Sequence, residues 1–271
     1  MRLLFAGTPD VAVPSLKALL DSDHEVAAVL TRPDARVGRG RKLRPSPVAE
    51  VAEEAGIEVL KPTSTRDAEL AKRIAEIAPD CAPVVAYGGL LPKSLLDLVP
   101  NGWINLHFSL LPQWRGAAPV QHSIMAGDSV TGASTFVIEE GLDTGPVIGV
   151  LTETIRPKDT SGDLLGRLAD AGSHLLVASL DAIAAGHAVP EAQSNENVSH
   201  APMLHRADGE VRWADPAIAI DRRIRACTPA PGAWTSLPSG DRLGLGPLAA
   251  TKASPEVGEY DLAPGQLRVE R

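Results

Sequence analysis

Short apolar segments that alternate with helix-like segments limit the possible fold more than any other feature of this sequence. The strand-like segments in the first part of the chain are residues 3–6, 25–31, 57–60, 82–86 and 103–106. Helix-like patterns lie between several of them, at residues 11–20, 48–55 and 68–77. Strands separated by helices pair in parallel, with the helices covering both faces. We therefore predict an α/β fold, a Rossmann-like open and mostly parallel twisted sheet with helices on both faces.

The sequence predicts two units joined by a linker. Two longer strands at 130–138 and 146–155 and a long helix at 162–184 complete a first domain, residues 1–189, which we expect to be catalytic. The polar composition after this helix, which includes a proline, indicates a linker at residues 190–206.

Residues 207–271 are expected to form a smaller C-terminal domain. Asp215 is suited to cap a helix that has Pro216 at its first position. One face of this helix carries three isoleucines that we expect to be buried, Ile218, Ile220 and Ile224. From residue 233 onward, short apolar pieces broken by glycine and proline indicate a β-rich module.

Composition excludes several classes of protein. Of the 271 residues, 44% are hydrophobic and 22% are charged, which is typical of a globular chain and not of a disordered one. No apolar run approaches the roughly 18 residues of a membrane span, so we expect no membrane contact and a cytoplasmic protein. Cys81 and Cys227 lie far apart in the sequence and in no metal-ligand spacing, which favours reduced structural cysteines.

A net charge of −8 argues against a polyanionic partner, but the basic residues are unevenly distributed. Six basic residues and one acidic residue, Asp34, fall between Arg32 and Arg44. The glycines and prolines in and around this segment exclude a regular helix or strand, so we expect a long mobile loop. A solvated surface loop without a partner is the alternative.

Three polar residues are candidates for chemistry. Asn105 and His107 are two apart at the end of a predicted strand, so their side chains should point to the same side. Asp143 belongs to a glycine-punctuated acidic loop between two predicted strands. An amide, an imidazole and a carboxylate that converge at the strand ends suit acyl or one-carbon transfer, in which charge develops on a carbonyl oxygen. Each residue taken alone could equally be structural.

The run Ser109-Leu110-Leu111-Pro112, followed by Arg115-Gly116, resembles the motif of enzymes that use 10-formyltetrahydrofolate. Asn105, His107 and Asp143 match the catalytic trio of that superfamily in type, order and spacing. Further segments are similar to the branch that formylates the methionine carried by initiator methionyl-tRNA; they are residues 5–10, 32–34, 38–40, 45–47, 116–119, 201–203, 220–221, 225–226 and 231–235.

This resemblance implies a folate site and no metal. Asn105 would donate to the oxyanion, His107 would stabilise it in its protonated form, and Asp143 would orient His107 and favour its charge. The residues that would bind the folate are Tyr87, Gly88, Gly89, Leu90, Leu91, Ser109, Leu110, Leu111, Pro112, Glu139, Glu140, Gly141 and Leu142. The loops at 87–91 and 139–142 would line the pterin pocket.

The resemblance also gives the basic segment a partner, the acceptor stem of the tRNA. Arg39, Arg41 and Lys42 would contact phosphates and base edges; Arg41 replaces a lysine expected in many relatives. The C-terminal domain would resemble an oligonucleotide-binding barrel, and residues 207–271 are short for one. We expect a monomer with a complete formyl site and weakened tRNA binding.

Three other functions remain open at this point. The acceptor could be another amine, on a ribonucleotide or a nucleotide-linked amino sugar. The protein could instead be a hydrolase that releases formate from the same folate, but the basic segment would then have no role. A non-catalytic RNA-binding module would need no Asn105, His107 and Asp143.

Overall fold

The computed structural model describes residues 1–37, 42–237 and 239–247. The strands in chain order are β1 (Arg2–Gly7), β2 (Glu25–Leu30), β3 (Ala35–Val37), β4 (Lys42–Arg44), β5 (Glu58–Leu60), β6 (Ala82–Val85), β7 (Trp103–His107), β8 (Val130–Val137), β9 (Val147–Thr154), β10 (Ala233–Ser236) and β11 (Arg242–Leu245). The α-helices are α1 (Val13–Leu20), α2 (Pro47–Glu54), α3 (Ala68–Ile77), α4 (Lys93–Leu96), α5 (Pro119–Ala126), α6 (Ser161–Ala184) and α7 (Ala217–Ala226).

The main sheet has seven strands in the order β5-β2-β1-β6-β7-β8-β9. The first five are parallel, whereas β8 pairs antiparallel with β7, and β9 pairs antiparallel with β8. The predicted mostly parallel α/β sheet is therefore confirmed, and the two longer strands form an antiparallel hairpin at its edge. The strand order reverses between β1 and β6, and ligands of such sheets bind beyond the carboxyl ends of the strands at that point.

Apolar side chains cover both faces of this sheet. Along β1, Leu3 and Phe5 pack into one cluster with residues of α1, α2 and α6, while Leu4 and Ala6 pack into a second cluster with α3. The longest helix, α6, begins at a capping box in which the Thr160 hydroxyl and the Asp163 carboxylate satisfy each other's backbone N–H. Helices thus lie on both faces, as predicted.

The C-terminal unit differs in detail from the prediction. Helix α7 begins at Ala217, with Pro216 instead of Asp215 at the capping position. Ile220 and Ile224 are buried, but Ile218 is 59% exposed, because only the side of α7 that faces α5 and the small module is covered. Strands β10 and β11 pair antiparallel, which confirms a small β module; residues 248–271 of the predicted barrel lie outside the described residues.

Buried polar contacts join this unit to the first domain. The guanidinium of Arg225, which is 9% exposed, donates to the Asp159 carbonyl at 3.0 Å and to the Asp221 carboxylate at 2.8 Å. Ser161, at the start of α6, donates to the carbonyl of Thr228 at 2.7 Å. These bonds fix the end of α7 against the beginning of α6.

The basic segment contains regular structure, contrary to the expected loop. Strands β3 and β4 form a two-stranded antiparallel ribbon whose paired residues run from Ala35 opposite Arg44 to Val37 opposite Lys42. A hairpin needs only local pairing, so the flanking prolines and the intervening glycines do not prevent it. Arg39 and Arg41 lie outside the described residues.

Candidate active site

His107 and Asp143 lie together at the carboxyl end of the sheet. His107 is the last residue of β7, and Asp143 belongs to the turn between β8 and β9. The Nδ1 atom of His107 is 3.8 Å from Oδ2 of Asp143. Asn105 precedes His107 by two residues on β7, so both occupy the same face of the strand. The side-chain amide of Asn105 has no partner within the described part of the chain and can bind a ligand.

The surroundings of His107 control its charge. The ring is 6% exposed and meets Phe136 edge to face, and its Nε2 lies 2.9 Å from the carbonyl oxygen of Trp114. Burial lowers the pKa of His107, and the Asp143 carboxylate and the Trp114 carbonyl act in the opposite direction. Because both ring nitrogens face acceptors, an imidazolium would have a partner on each side.

The turn that carries Asp143 is held by bonds to two other segments. Asp143 adopts φ of +51°, in the left-handed region, and its Oδ2 accepts from the backbone N–H of Gly116 at 2.7 Å. The side-chain amide of Gln193 donates to the carbonyls of Asp143 and Gly145, both at 2.8 Å. The carboxylate is therefore fixed before any ligand binds.

The segment that follows β7 is organised by serine hydroxyls. Ser109 is buried and donates to the carbonyl of Gln113 at 2.6 Å, and Ser134 of β8 donates to the carbonyl of Ser109 at 2.7 Å. The backbone N–H of Leu111 donates to the Ser134 hydroxyl at 3.2 Å. Ser109, predicted to contact the folate, therefore uses its hydroxyl to hold the loop, while Leu110, Leu111 and Pro112 are half-buried.

A cavity of ≈ 470 Å³ lies between the acidic turn and α4. It is lined by Glu139, Glu140 and Gly141, which were predicted to contact the folate, and by four residues that were not predicted, Lys93, Leu96, Asp97 and Ile138. No clear signal in the sequence indicates the residues of α4, because a helix of four residues is too short to show a helical periodicity.

The loop after β6 is divided between the core and the solvent. Tyr87 is 2% exposed and belongs to the core cluster that includes α3, and its hydroxyl has no hydrogen-bond partner among the residues that the structure describes. A Cβ at Gly89 would lie 2.6 Å from that ring, so this turn needs glycine there. Gly88 has φ of +75°, and Leu90 and Leu142 are 84% and 63% exposed. The buried ring of Tyr87 thus packs against the loop at Gly89, while Leu90 is open to solvent.

Comparison with known proteins identifies the family. The family model "Formyl transferase" matches residues 1–180, and "Formyl transferase, C-terminal domain" matches residues 203–269. A methionyl-tRNA formyltransferase of Streptomyces griseus is 63% identical over 270 residues, covering 98% of this chain and 84% of the relative. One from Salinispora tropica is 57% identical over 271 residues, 100% of this chain and 86% of the relative.

The chain belongs to the methionyl-tRNA formyltransferase family. It is thus a formyl-transferring enzyme, and members of this family formylate the charged tRNA with which translation begins.

Solved structures of more distant proteins share the fold. A 4-N formyltransferase from Francisella tularensis superimposes with a TM-score of 0.73 at 17% identity, covering 92% of this chain and 98% of that one. An N-formyltransferase from Helicobacter canadensis, solved with folinic acid and dTDP-3-aminofucose, gives a TM-score of 0.65 at 21% identity over 83% and 79% of the two chains. The formyltransferase fold therefore extends well beyond the methionyl-tRNA formyltransferase family.

Of the predicted tRNA contacts, Lys42 is exposed on β4. Burial raises the pKa of Cys81 to about 12, which makes that thiol a poor nucleophile. The described ranges contain no group of His, Cys, Asp and Glu side chains arranged to hold a metal ion. No helix in them is long and apolar enough to cross a membrane.

Proposed function

We propose that this enzyme transfers the formyl group of 10-formyltetrahydrofolate to the α-amino group of methionine on initiator methionyl-tRNA. The observation that carries the proposal is the His107–Asp143 pair at the carboxyl end of the sheet, where His107 shares β7 with Asn105, whose side-chain amide has no partner among the described residues. The folinic acid in the Helicobacter canadensis enzyme supports a folate as donor, and the Streptomyces griseus relative supports methionyl-tRNA as acceptor.

The reaction needs stabilisation of an oxyanion and movement of one proton. The amino nitrogen attacks the formyl carbon, which gives a tetrahedral intermediate with negative charge on the former carbonyl oxygen. Cleavage of the bond between that carbon and N10 then releases tetrahydrofolate and formylmethionyl-tRNA. The attacking nitrogen loses a proton and the leaving nitrogen gains one, so a single proton is relayed between them and no external oxidant or reductant is needed.

Asn105 and His107 act on the oxyanion. Asn105 donates a hydrogen bond from its side-chain amide, and His107 supplies positive charge. Because burial lowers the pKa of His107, its charged form is disfavoured until negative charge develops on the substrate, so the stabilisation is greater in the transition state than in the ground state. Asp143 keeps the charged form accessible and, through water, helps to relay the proton.

The cavity beside the acidic turn takes the pterin of the folate. Leu96 and Ile138 give it apolar walls for a flat ring, and Glu139 and Glu140 offer acceptors for the amino group and ring N–H donors of a pterin. The loop from Gly88 to Leu91 completes the site in this proposal.

The β3–β4 ribbon and the C-terminal domain bind the tRNA. Arg36, Lys42 and Arg44 are exposed on the ribbon and carry the charge needed against the phosphates of the acceptor stem. Arg39 and Arg41 stay predicted contacts of the tRNA. The monomeric state and the cytoplasmic location also stay predictions.

The test is a transfer assay read by mass spectrometry. Charged initiator methionyl-tRNA and 10-formyltetrahydrofolate are incubated with the enzyme, and we expect a formyl group on the methionine. The same assay with a dTDP-amino sugar in place of the tRNA tests the acceptor of the distant neighbours, and preference for the sugar would overturn the proposal. Activity that survives His107→Ala would exclude the proposed catalysis.

A further inference from the structure

Gln193, in the segment between the two domains, uses its whole side-chain amide within the active site. Its NH2 group donates to the carbonyls of Asp143 and Gly145, both at 2.8 Å. Its Oε1 accepts from Nε of Arg115 at 3.1 Å and from an Nη of the same guanidinium at 2.7 Å. Both donors and both acceptor positions of one glutamine are therefore occupied, which is the full capacity of this side chain.

The partners of Gln193 come from two different loops. Asp143 and Gly145 belong to the acidic turn between β8 and β9, and Arg115 belongs to the loop after β7. No carboxylate pairs with Arg115 within the described residues, so Gln193 is the group that orients its guanidinium. An apolar substitution at Gln193 would leave two carbonyls and a guanidinium without their partner at once.

Residues 199–201, a few positions after Gln193, form backbone hydrogen bonds with the loop after β7. The N–H of Arg115 donates to the carbonyl of Ser199 at 2.9 Å, and the N–H of Ala201 donates to the carbonyl of Arg115 at 2.7 Å. At Gly116, with φ of +125°, a Cβ would lie 2.6 Å from the Ala201 carbonyl oxygen. Gly116 is the residue whose N–H binds the Asp143 carboxylate, so its position depends on this segment.

We propose that Gln193 is a positioning residue for formyl transfer: it holds the backbone of Asp143 so that the carboxylate stays beside His107. The two donated bonds fix a turn whose Asp143 is in the left-handed region, where a free chain would relax. Gln193, Ser199 and Ala201 then form part of the wall of the active site, whereas the exposed Asn195 between them makes no hydrogen bond with the site loops among the described residues. This inference rests on the proposed function.

Two substitutions separate the parts of this role. Gln193→Met keeps the length of the side chain and removes all four hydrogen bonds, whereas Gln193→Glu keeps an acceptor for Arg115 and removes the two donated bonds. We expect both variants to lower kcat about 10- to 100-fold, the usual effect of a displaced catalytic group, with KM for the folate changed less than about twofold. Asn195→Met, an exposed position two residues further on, is the matched control and should keep the wild-type kcat.

A pH profile distinguishes positioning from loss of folded enzyme. Among the described residues, Asp143 is the charged group that acts on His107; the other groups facing its ring are the Trp114 carbonyl and the Phe136 ring. If Gln193→Met lets Asp143 move away, the alkaline limb of kcat moves to lower pH, which a smaller folded fraction would not cause.

The activity of the wild-type enzyme on methionyl-tRNA tests the proposed function separately from the role of Gln193. If it does not formylate methionyl-tRNA, the proposed function fails and not this inference alone. If it does, and Gln193→Met keeps the wild-type pH profile, the inference is overturned whatever the value of kcat. Wild-type kcat in Gln193→Glu would also overturn it, because the contact with Arg115 would then be sufficient.

Discussion

Replacing Asp143 by asparagine removes the negative charge beside His107 with little change in shape. An asparagine oxygen can still accept the bond from the Gly116 N–H, now at 2.7 Å, and the bond from the Gln193 side chain to the backbone carbonyl of residue 143 is unchanged. The perturbation is therefore electrostatic. We expect kcat to fall because the imidazolium that faces the oxyanion loses its anionic neighbour.

The size of the effect follows from the distance between the two charged groups. Unit charges 3.8 Å apart attract by about 4 kcal/mol at an effective dielectric constant of about 20. The Asp143 side chain is 16% exposed, so water screens part of this, and we take about 3 kcal/mol as the part that acts on the transition state. At about 1.4 kcal/mol for each factor of ten, kcat should fall about 100-fold.

The assay is single-turnover formylation with saturating enzyme, measured between pH 6 and 9. Asp143 favours the charged form of His107, so without it the pKa of His107 lies further below its usual value. The activity requires the protonated ring and is lost as pH rises through that pKa, so the alkaline limb moves to lower pH. Asp181→Asn is the control, because it breaks another histidine–carboxylate pair, with His24 just before the amino end of β2. A variant within threefold of the wild-type rate, with an unchanged profile, would refute this reasoning.

Three further predictions concern other parts of the structure. Asn105→Ala should lower kcat about 100- to 1,000-fold in the same assay and leave KM for the folate nearly unchanged, since the amide acts on the oxyanion. Gly116→Ala should destabilise the protein by about 1–3 kcal/mol, seen as a lower Tm, because φ is +125° and its Cβ would meet the Ala201 carbonyl. At Asp159, burial opposes the charge but the bonds from Arg167 and the Arg156 N–H outweigh it, so the pKa lies below its usual value. The stability from this group is present above the unfolded pKa and lost as pH falls through the folded one; acid unfolding of Asp159→Asn should therefore depend less on pH in that range.

The sheet was predictable because its strands are continuous apolar runs with buried side chains on both faces, as in β1 and β6. The antiparallel pairing of β8 with β7 was not, because residues 108–129 between them include α5 and are long enough for either direction. The antiparallel pairing of β9 with β8 could have been inferred from the short connection at residues 138–146, which is too short for a parallel crossover. Helix α4, of four residues, is too short to show a periodicity, and α5 is less amphipathic than α1 and α2, which have the same length and were predicted. The predicted burial of Ile218 was wrong, because the apolar face of a helix does not show how much of that face a neighbouring element covers.

The site was predictable only where its residues are close in sequence or match a known motif. Asn105 and His107 share a strand, and Asp143 was assigned by resemblance to a trio. Gln193 lies 78 residues from Arg115 and 50 from Asp143 in a polar segment, and nothing local distinguishes it from its neighbours. Tyr87 stays a predicted folate contact; its burial could not be foreseen, because an aromatic ring after a buried strand can turn either into the core or towards the loop.

The joint formed by Arg225, Asp159, Ser161 and Thr228 has a consequence for how a nucleic acid can reach the enzyme. Because these bonds hold the end of α7 against the beginning of α6, we expect the distance between the catalytic pocket and the small domain to be the same before and after the tRNA binds. On the proposed function, the acceptor end of the tRNA would then have to change conformation, with its last nucleotides separating from their partners and bending inward. We therefore expect a tRNA with a mismatched first pair to be formylated faster than one whose first pair is stable, because opening the mismatched end costs less free energy.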